Sequence, residues 1–270
     1  MALGSTLHIL MIATGLSMSA EANTGDTGLD AKPAMHLGAP AADVTRAVAI
    51  PEPLGGGLIT YDLDAAEQSL TRATLPNAPD WVVATRLLLG EAGPGRLTNN
   101  RYGLEEAVAI LQTVKNRLDP SVWNPDGLRV RAWPGCGEEG TFTSCADPDQ
   151  YLGLRNTRAL APTTSRASEA TRHHALDVAV LAWWVVQTEA MGDVTDGAVS
   201  FVHRCGGAAY GKSTYHCDRR ADVPDTPGAQ PHTGPLLLRG PGEFDPRRGN
   251  YRLTETTRID YAKGVPHLID

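Results

Sequence analysis

The longest periodic stretch of the chain, residues 165–191, limits the folds open to it more than any other feature. If helical throughout it spans roughly 40 Å, and Gly192 ends it. From Ala175 to Val186 it is apolar nearly all round, with Asp177 the exception. A helix without a polar face is covered on several sides. This segment is therefore expected to form the central core helix, with the rest of the chain arranged about it. His173 and His174, near its N-terminal half, are adjacent and point to different faces, which makes them a poor ligand pair.

Two further helices are expected between Trp81 and Leu118. Trp81, Ala84, Leu87 and Leu88 recur at helical spacing, as do Leu104, Ala107, Val108, Leu111, Val114 and Leu118. Pro76-Asn77-Ala78-Pro79-Asp80 leads into the first, with Asp80 the candidate N-cap, and Asp119-Pro120 stops the second. Between them a lone carboxylate, Glu91, stands where the first helix runs out into Gly93-Pro94-Gly95. Leu88 and Leu87 lie three and four residues back, so Glu91 projects from the apolar face. A carboxylate at such a rim is partly desolvated, which favours its protonated form and suits a general acid. The plain alternative is a solvated glutamate in a last helical turn.

Length allows one domain with long extensions or two small domains. The net charge of −7 and the absence of a Lys/Arg run argue against a nucleic-acid partner. All five tryptophans fall between Trp81 and Trp184, which places the core and any groove there. Trp123 and Trp133, on expected loops, are candidates either to stack on sugar faces or to cover the core. The four cysteines read as two local disulfides, Cys136 with Cys145 and Cys205 with Cys217, in an oxidising compartment. Zinc is the competing reading for the second pair, because His203 and His216 flank it, but the spacing fits no common zinc pattern. No metal and no other cofactor is expected.

The ends differ in character. Residues 7–18 are mostly apolar and precede Ala20-Glu21-Ala22, so 1–22 is either a secretory signal, although Met1 to Thr6 carry no Lys or Arg, or an ordinary buried N-terminal segment. Residues 23–75 read as an extended linker region, relieved by a strand at Leu58–Leu63 and one or two helical turns over 64–70. Residues 219–270 read as a Pro/Gly-rich arm whose ordered pieces are Leu236–Leu238 and the alternating run from Tyr251 to Tyr261. Such an arm adds a strand to its own domain or to a neighbour's.

Among motifs, Gly206 to Ser213 fits G-x-x-x-x-G-K-[ST] letter for letter. A phosphate loop must open a helix, whereas Thr214-Tyr215-His216-Cys217 has no apolar period and two cysteines bracket the loop. Lys212, Tyr210 and His203 are better read as lining a cleft. Neither H-E-x-x-H nor G-x-S-x-G is present. The even pairing of cysteines also speaks against a thiol nucleophile.

Four pieces remain: Gly90-Glu91-Ala92, a helix ending in Asn116-Arg117, Phe142-Thr143-Ser144-Cys145, and Gly197-Ala198-Val199-Ser200-Phe201. In order and rough spacing this set resembles the spore-cortex and cell-wall hydrolase family of peptidoglycan-cleaving enzymes, over about half the chain. The resemblance implies an α+β, mostly helical, lysozyme-like catalytic domain over 76–218, with a buried central helix, a small β element and extended arms. It implies a lytic transglycosylase in which Glu91 serves as general acid and base, with Thr143 and Ser144 positioning the sugar. Tyr102, Asn116 and Tyr210 are further candidates for substrate contact, and Asn116 is alternatively a structural cap. After Gly-Glu-Ala the family continues Arg-Gly-Glu, whereas Gly93-Pro94-Gly95 stands here. A hydrolytic muramidase would need a second acid; Asp147, Asp149, Asp193 and Asp196 are all candidates. The implied partner is the peptidoglycan glycan strand, and the implied location is exported or virion-associated. A different class stays open, that of a structural or assembly component of a virion or cell envelope. Its arms would engage a protein partner or form an oligomer.

Overall fold

The computed structural model describes residues 34–38, 44–71, 77–99, 103–124, 127, 132–134, 136–137, 139–146, 151, 154, 167–203, 236–245, 247 and 250–259. It is a mixed α/β structure in which helices surround one inner helix and two small sheets flank them. The candidate signal segment 1–22 and the glycine-rich loop Gly206–Ser213 lie outside the described residues.

The inner helix, here α7, is Glu169–Thr188. Ser168 caps it by accepting from the Thr171 amide, and Glu189 ends it in a left-handed conformation. Residues Ala179 to Val186 are buried without a break. Lys115 closes the far end, donating to the Val186 carbonyl at 3.0 Å and to Glu189 at 2.8 Å.

The two longest helices that pack against α7 are α2 (Asp80–Glu91) and α4 (Gly103–Leu118). The expected amphipathic α2 is instead buried at every position from Trp81 to Leu89. Its second side is covered by α1 (Leu63–Thr71), so Arg86 enters the core. There Arg86 donates to the carbonyls of Ser69 and Leu154, the latter at 2.7 Å. Burial lowers its guanidinium pKa to about 10, which leaves it charged at neutral pH. Asp80 is not the cap of α2; Pro79 holds that place. The Asp80 carboxylate reaches across to α6 (Phe142–Cys145), accepting from the Thr143 hydroxyl at 2.6 Å and from its amide at 3.3 Å. Short helices α3 (Pro94–Leu97) and α5 (Pro120–Trp123) flank α4. Gly103 must be glycine where α4 starts, since a Cβ there would stand 2.0 Å from the Leu97 carbonyl oxygen.

Within 23–75 the expected strand and helical turns stand at Leu58–Asp62 and Leu63–Thr71, and two further strands replace the expected linker at 34–37 and 45–49. Strands β1 (Ala34–Leu37), β2 (Thr45–Ala49) and β3 (Leu58–Asp62) form a sheet in the order β1-β3-β2, parallel then antiparallel. Strands β1 and β2 have only four and five residues, and β2 shows the small Thr45, Ala47 and Ala49 on its outer face, so alternation is hard to see there in the sequence. Leu37, Ile59 and Tyr61 join the main core. The register sets Arg46 beside Tyr61, and both reach Asp177, the one polar residue in the apolar middle of α7. Arg46 binds it through two bonds of 2.6 and 2.7 Å, and Tyr61 donates at 3.0 Å. Asp177 is thus the anchor for the N-terminal sheet. A bidentate, charge-assisted pair of this kind gives direction as well as energy.

The C-terminal arm is likewise structured over its two ordered-looking pieces. Strand β4 (Ser200–His203) pairs antiparallel with β5 (Leu236–Asp245), and β5 with β6 (Asn250–Ile259). The arm therefore adds strands to its own domain, next to the Gly197–Phe201 segment. Gly242 lies where the ladder shifts between Pro241 and Phe244; a Cβ there would meet the Arg252 carbonyl oxygen at 2.3 Å.

Candidate active site

Glu91 is the last residue of α2 and is half-buried. The Ala92 amide closes the final turn on the Leu88 carbonyl, and Gly93, at φ +76°, turns the chain away. That conformation favours glycine, so the Gly-Pro-Gly departure from Arg-Gly-Glu builds the α3 turn. Arg96 of α3 donates through Nε to Glu106 of α4 at 2.5 Å, and both are buried. Glu106 is thereby neutralised by its own cation.

Tyr151 lies within electrostatic reach of Glu91, and several side chains hold its ring in place. It stacks on Phe201 of β4, with centroids 6.0 Å apart and planes at 29°. The Arg117 guanidinium carbon lies 4.8 Å from its centroid and 5.9 Å from that of Trp133. Arg117 Nε donates to the Val199 carbonyl at 2.5 Å. Burial pushes the Tyr151 hydroxyl pKa up, and the Glu91 charge pushes it further, while Arg117 and Thr113 oppose the rise. Arg117 and Phe201, remote from one another in the sequence, thus meet around one buried phenol.

Asn116 is buried, and its amide nitrogen donates to Asp193 (3.1 Å), Thr195 (3.1 Å) and the Ala198 carbonyl (2.9 Å). Its carbonyl oxygen accepts from Gln112 at 2.9 Å. The geometry is that of a tie between α4 and the turn before β4, the structural alternative named above. Asp193 belongs to the same tie. Partial burial pushes its carboxyl up, but bonds from Thr195, Gly197 and Asn116 outweigh that and hold it below the usual range. Its share of stability is therefore complete above its unfolded pKa of about 4 and is lost as pH falls through the lower folded value. Asp196 is exposed, and Asp147 and Asp149 lie outside the described residues.

Thr143 is exposed and bonded to Asp80. Ser144 forms a capping box with Thr141. Phe142, beside them, packs edge-on against Trp183 at 5.0 Å. Tyr102, Tyr210, Cys205 and Cys217 lie outside the described residues. Trp123 and Trp133 are both buried and meet edge to face at 5.7 Å, and Trp123 donates to the Arg117 carbonyl. Of the two roles open to these rings, core cover is the one the geometry supports.

Cys136 and Cys145 are joined by a disulfide. Cys136 packs against both the main core and the small Trp123–Trp133–Val199 cluster, so the bond fastens one to the other. Replacing both cysteines by serine is expected to cost about 2–3 kcal/mol for so short a loop. Thermal unfolding under non-reducing conditions measures it. An unchanged midpoint would show that packing alone holds Trp133.

The residues missed by reading the sequence are Tyr151, Arg86 and the aromatic setting of Arg117. Arg117 stood in the Asn-Arg pair and could have been found there; Tyr151 has no local signal. Among the described residues no group of three or more His, Cys, Asp or Glu is placed to hold a metal ion. None of their helices is long and apolar enough to cross a membrane. Compared with protein-family models, curated proteins and solved structures, the chain matches none.

Proposed function

We propose that the protein cleaves the glycan strand of peptidoglycan between N-acetylmuramic acid and N-acetylglucosamine, as a lytic transglycosylase with a lysozyme-like catalytic unit. The observation that carries this reading is the half-buried Glu91 at the end of a buried helix. Two further pieces of the resemblance support it by meeting each other: Arg117 and Phe201 both lie against the Tyr151 ring, and Asn116 bonds the Ala198 carbonyl. Glu91 protonates the bridging oxygen and an oxocarbenium-like state forms at C1. The ionised Glu91 then takes the proton of the muramic C6 hydroxyl as that oxygen bonds to C1. The product is a 1,6-anhydro sugar and no water is consumed. Intramolecular attack replaces a bimolecular step and removes much of its entropic barrier.

One acid is enough for this chemistry, which accords with Glu106 being tied to Arg96. The disulfide accords with an exported protein. The test is digestion of purified peptidoglycan with products read by mass spectrometry. Anhydro ends are expected. Reducing ends would mean a hydrolytic muramidase with a second acid, and intact strands would remove the enzymatic reading.

A further inference from the structure

Asp80 and Thr143 are far apart in the sequence and meet at the surface, where their geometry gives one hydroxyl a direction. The Thr143 hydroxyl donates to Asp80 Oδ1 at 2.6 Å, and the Thr143 amide donates to the same oxygen at 3.3 Å. A threonine hydroxyl has one proton and two lone pairs. With the proton committed to Asp80, only lone pairs remain, so toward anything outside the protein the Thr143 oxygen is an acceptor. Donation to a carboxylate also polarises the hydroxyl and strengthens its oxygen as an acceptor. Thr143 is exposed and Asp80 half-buried, which leaves that oxygen open to a ligand.

The chain on both sides of the pair is fixed. Phe142 packs edge-on against Trp183 at 5.0 Å, and Cys145 is held to Cys136 by the disulfide. Trp81, next to Asp80, is buried and meets Tyr61 edge to face at 6.3 Å. Ser144 differs from its neighbour. Its hydroxyl donates to the Thr141 carbonyl at 2.7 Å and accepts from the Thr141 amide at 3.1 Å, so it is spent on the capping box. Of the two hydroxyls in α6, Thr143 is therefore the one presented outward.

Asp80 and Glu91 are the first and last residues of α2. Eleven residues are close to three whole turns, so both side chains start from one stripe of the helix, about 16 Å apart. Ala84 and Leu87, between them on that stripe, are buried. Helix α2 thus carries two polar ends separated by an apolar middle, further apart than one sugar ring reaches.

We propose that Asp80 is a positioning residue: it fixes Thr143 as the acceptor for an O–H or N–H of the glycan, at a sugar away from the bond that Glu91 cleaves. The glycan as ligand rests on the function proposed above. Neutral amino sugars present hydroxyl and acetamido donors and suit an acceptor of this kind. A ligand carboxylate offers no donor, and the Asp80 charge repels it. Binding gathered at a distance from the reacting bond holds the strand in register over the acid.

The test is an NMR titration with an oligomer of N-acetylglucosamine, followed at the backbone amide of position 143. This oligomer lacks the bond that Glu91 is proposed to cut, so binding is read without cleavage. In the wild-type protein the signal is expected to shift and saturate. Asp80→Ala frees the hydroxyl to rotate and is expected to weaken binding about tenfold, the scale of one hydrogen bond. Asp80→Asn keeps an acceptor oxygen for the Thr143 O–H and is expected to recover most of the affinity. Thr143→Val is expected to match Asp80→Ala, and the two together to lose no more than either alone. Because position 143 is exposed, Thr143→Val also decides the matter if Asp80→Ala does not fold. An unmoved signal in the wild-type protein, unchanged affinity in either single variant, equal losses in Asp80→Asn and Asp80→Ala, or losses that add in the double variant would overturn the proposal. If the titrations run as expected in a protein that releases no muropeptides, the enzymatic reading falls and the glycan contact stands. Muropeptide release with an unmoved signal keeps the activity and removes the contact.

Discussion

Glu91→Gln is expected to leave the protein folded and to reduce muropeptide release by about a thousand-fold, the scale on which a positioned general acid acts. The substitution keeps the shape and hydrogen-bonding capacity of the side chain and removes the transferable proton. Glu91 ends α2 without being enclosed by it, so the melting temperature is expected to stay within about a degree or two of wild type. Both numbers are needed. A thousand-fold loss with an unchanged melting temperature identifies the acid. A loss that follows unfolding says only that the α2 end is structural. Activity within about threefold of wild type would take Glu91 out of the chemistry.

Asn116→Ala is the second large effect, and it separates two roles for one residue. Asn116 donates to Asp193, Thr195 and the Ala198 carbonyl and accepts from Gln112. Losing it leaves the buried Ala198 carbonyl and Thr195 hydroxyl short of partners, at about 1 kcal/mol or more each. A destabilisation of about 3 kcal/mol is expected, a drop of roughly 5–10 °C in melting temperature for a chain of this size. A residue that only touched sugar would lose activity without that drop. An unchanged midpoint together with a raised KM would return Asn116 to the substrate.

The legible parts of the fold were those in which burial imposes a period. Helix α7 announced itself because twelve residues in near-continuous apolar sequence have no way to face water, and α4 because its stripe repeats at three and four residues. The end of α2 was legible too, since Gly93-Pro94-Gly95 cannot continue a helix. Legibility failed where the signal was short or shared. Strands β1 and β2 carry four and five residues and few large apolar side chains, and they become strands only by pairing with β3. Asp177 looked like an interruption in an apolar helix; its meaning depends on Arg46 and Tyr61, far earlier in the chain.

By itself the sequence determined where the core helices run, where α2 ends at Glu91 and which nearby cysteines could join. These depend on local geometry, on which side chains share a face and which backbone angles a residue permits. Only the tertiary structure decided which distant side chains meet between the helices and the C-terminal sheet. The Leu154 turn is held because Arg86 reaches its carbonyl, and Arg117 meets Tyr151 and Trp133 because Val199 fixes its guanidinium. Each of those contacts joins residues distant in sequence, and the physics that selects them, the need of buried charges and carbonyls for partners, acts only once the chain has closed on itself.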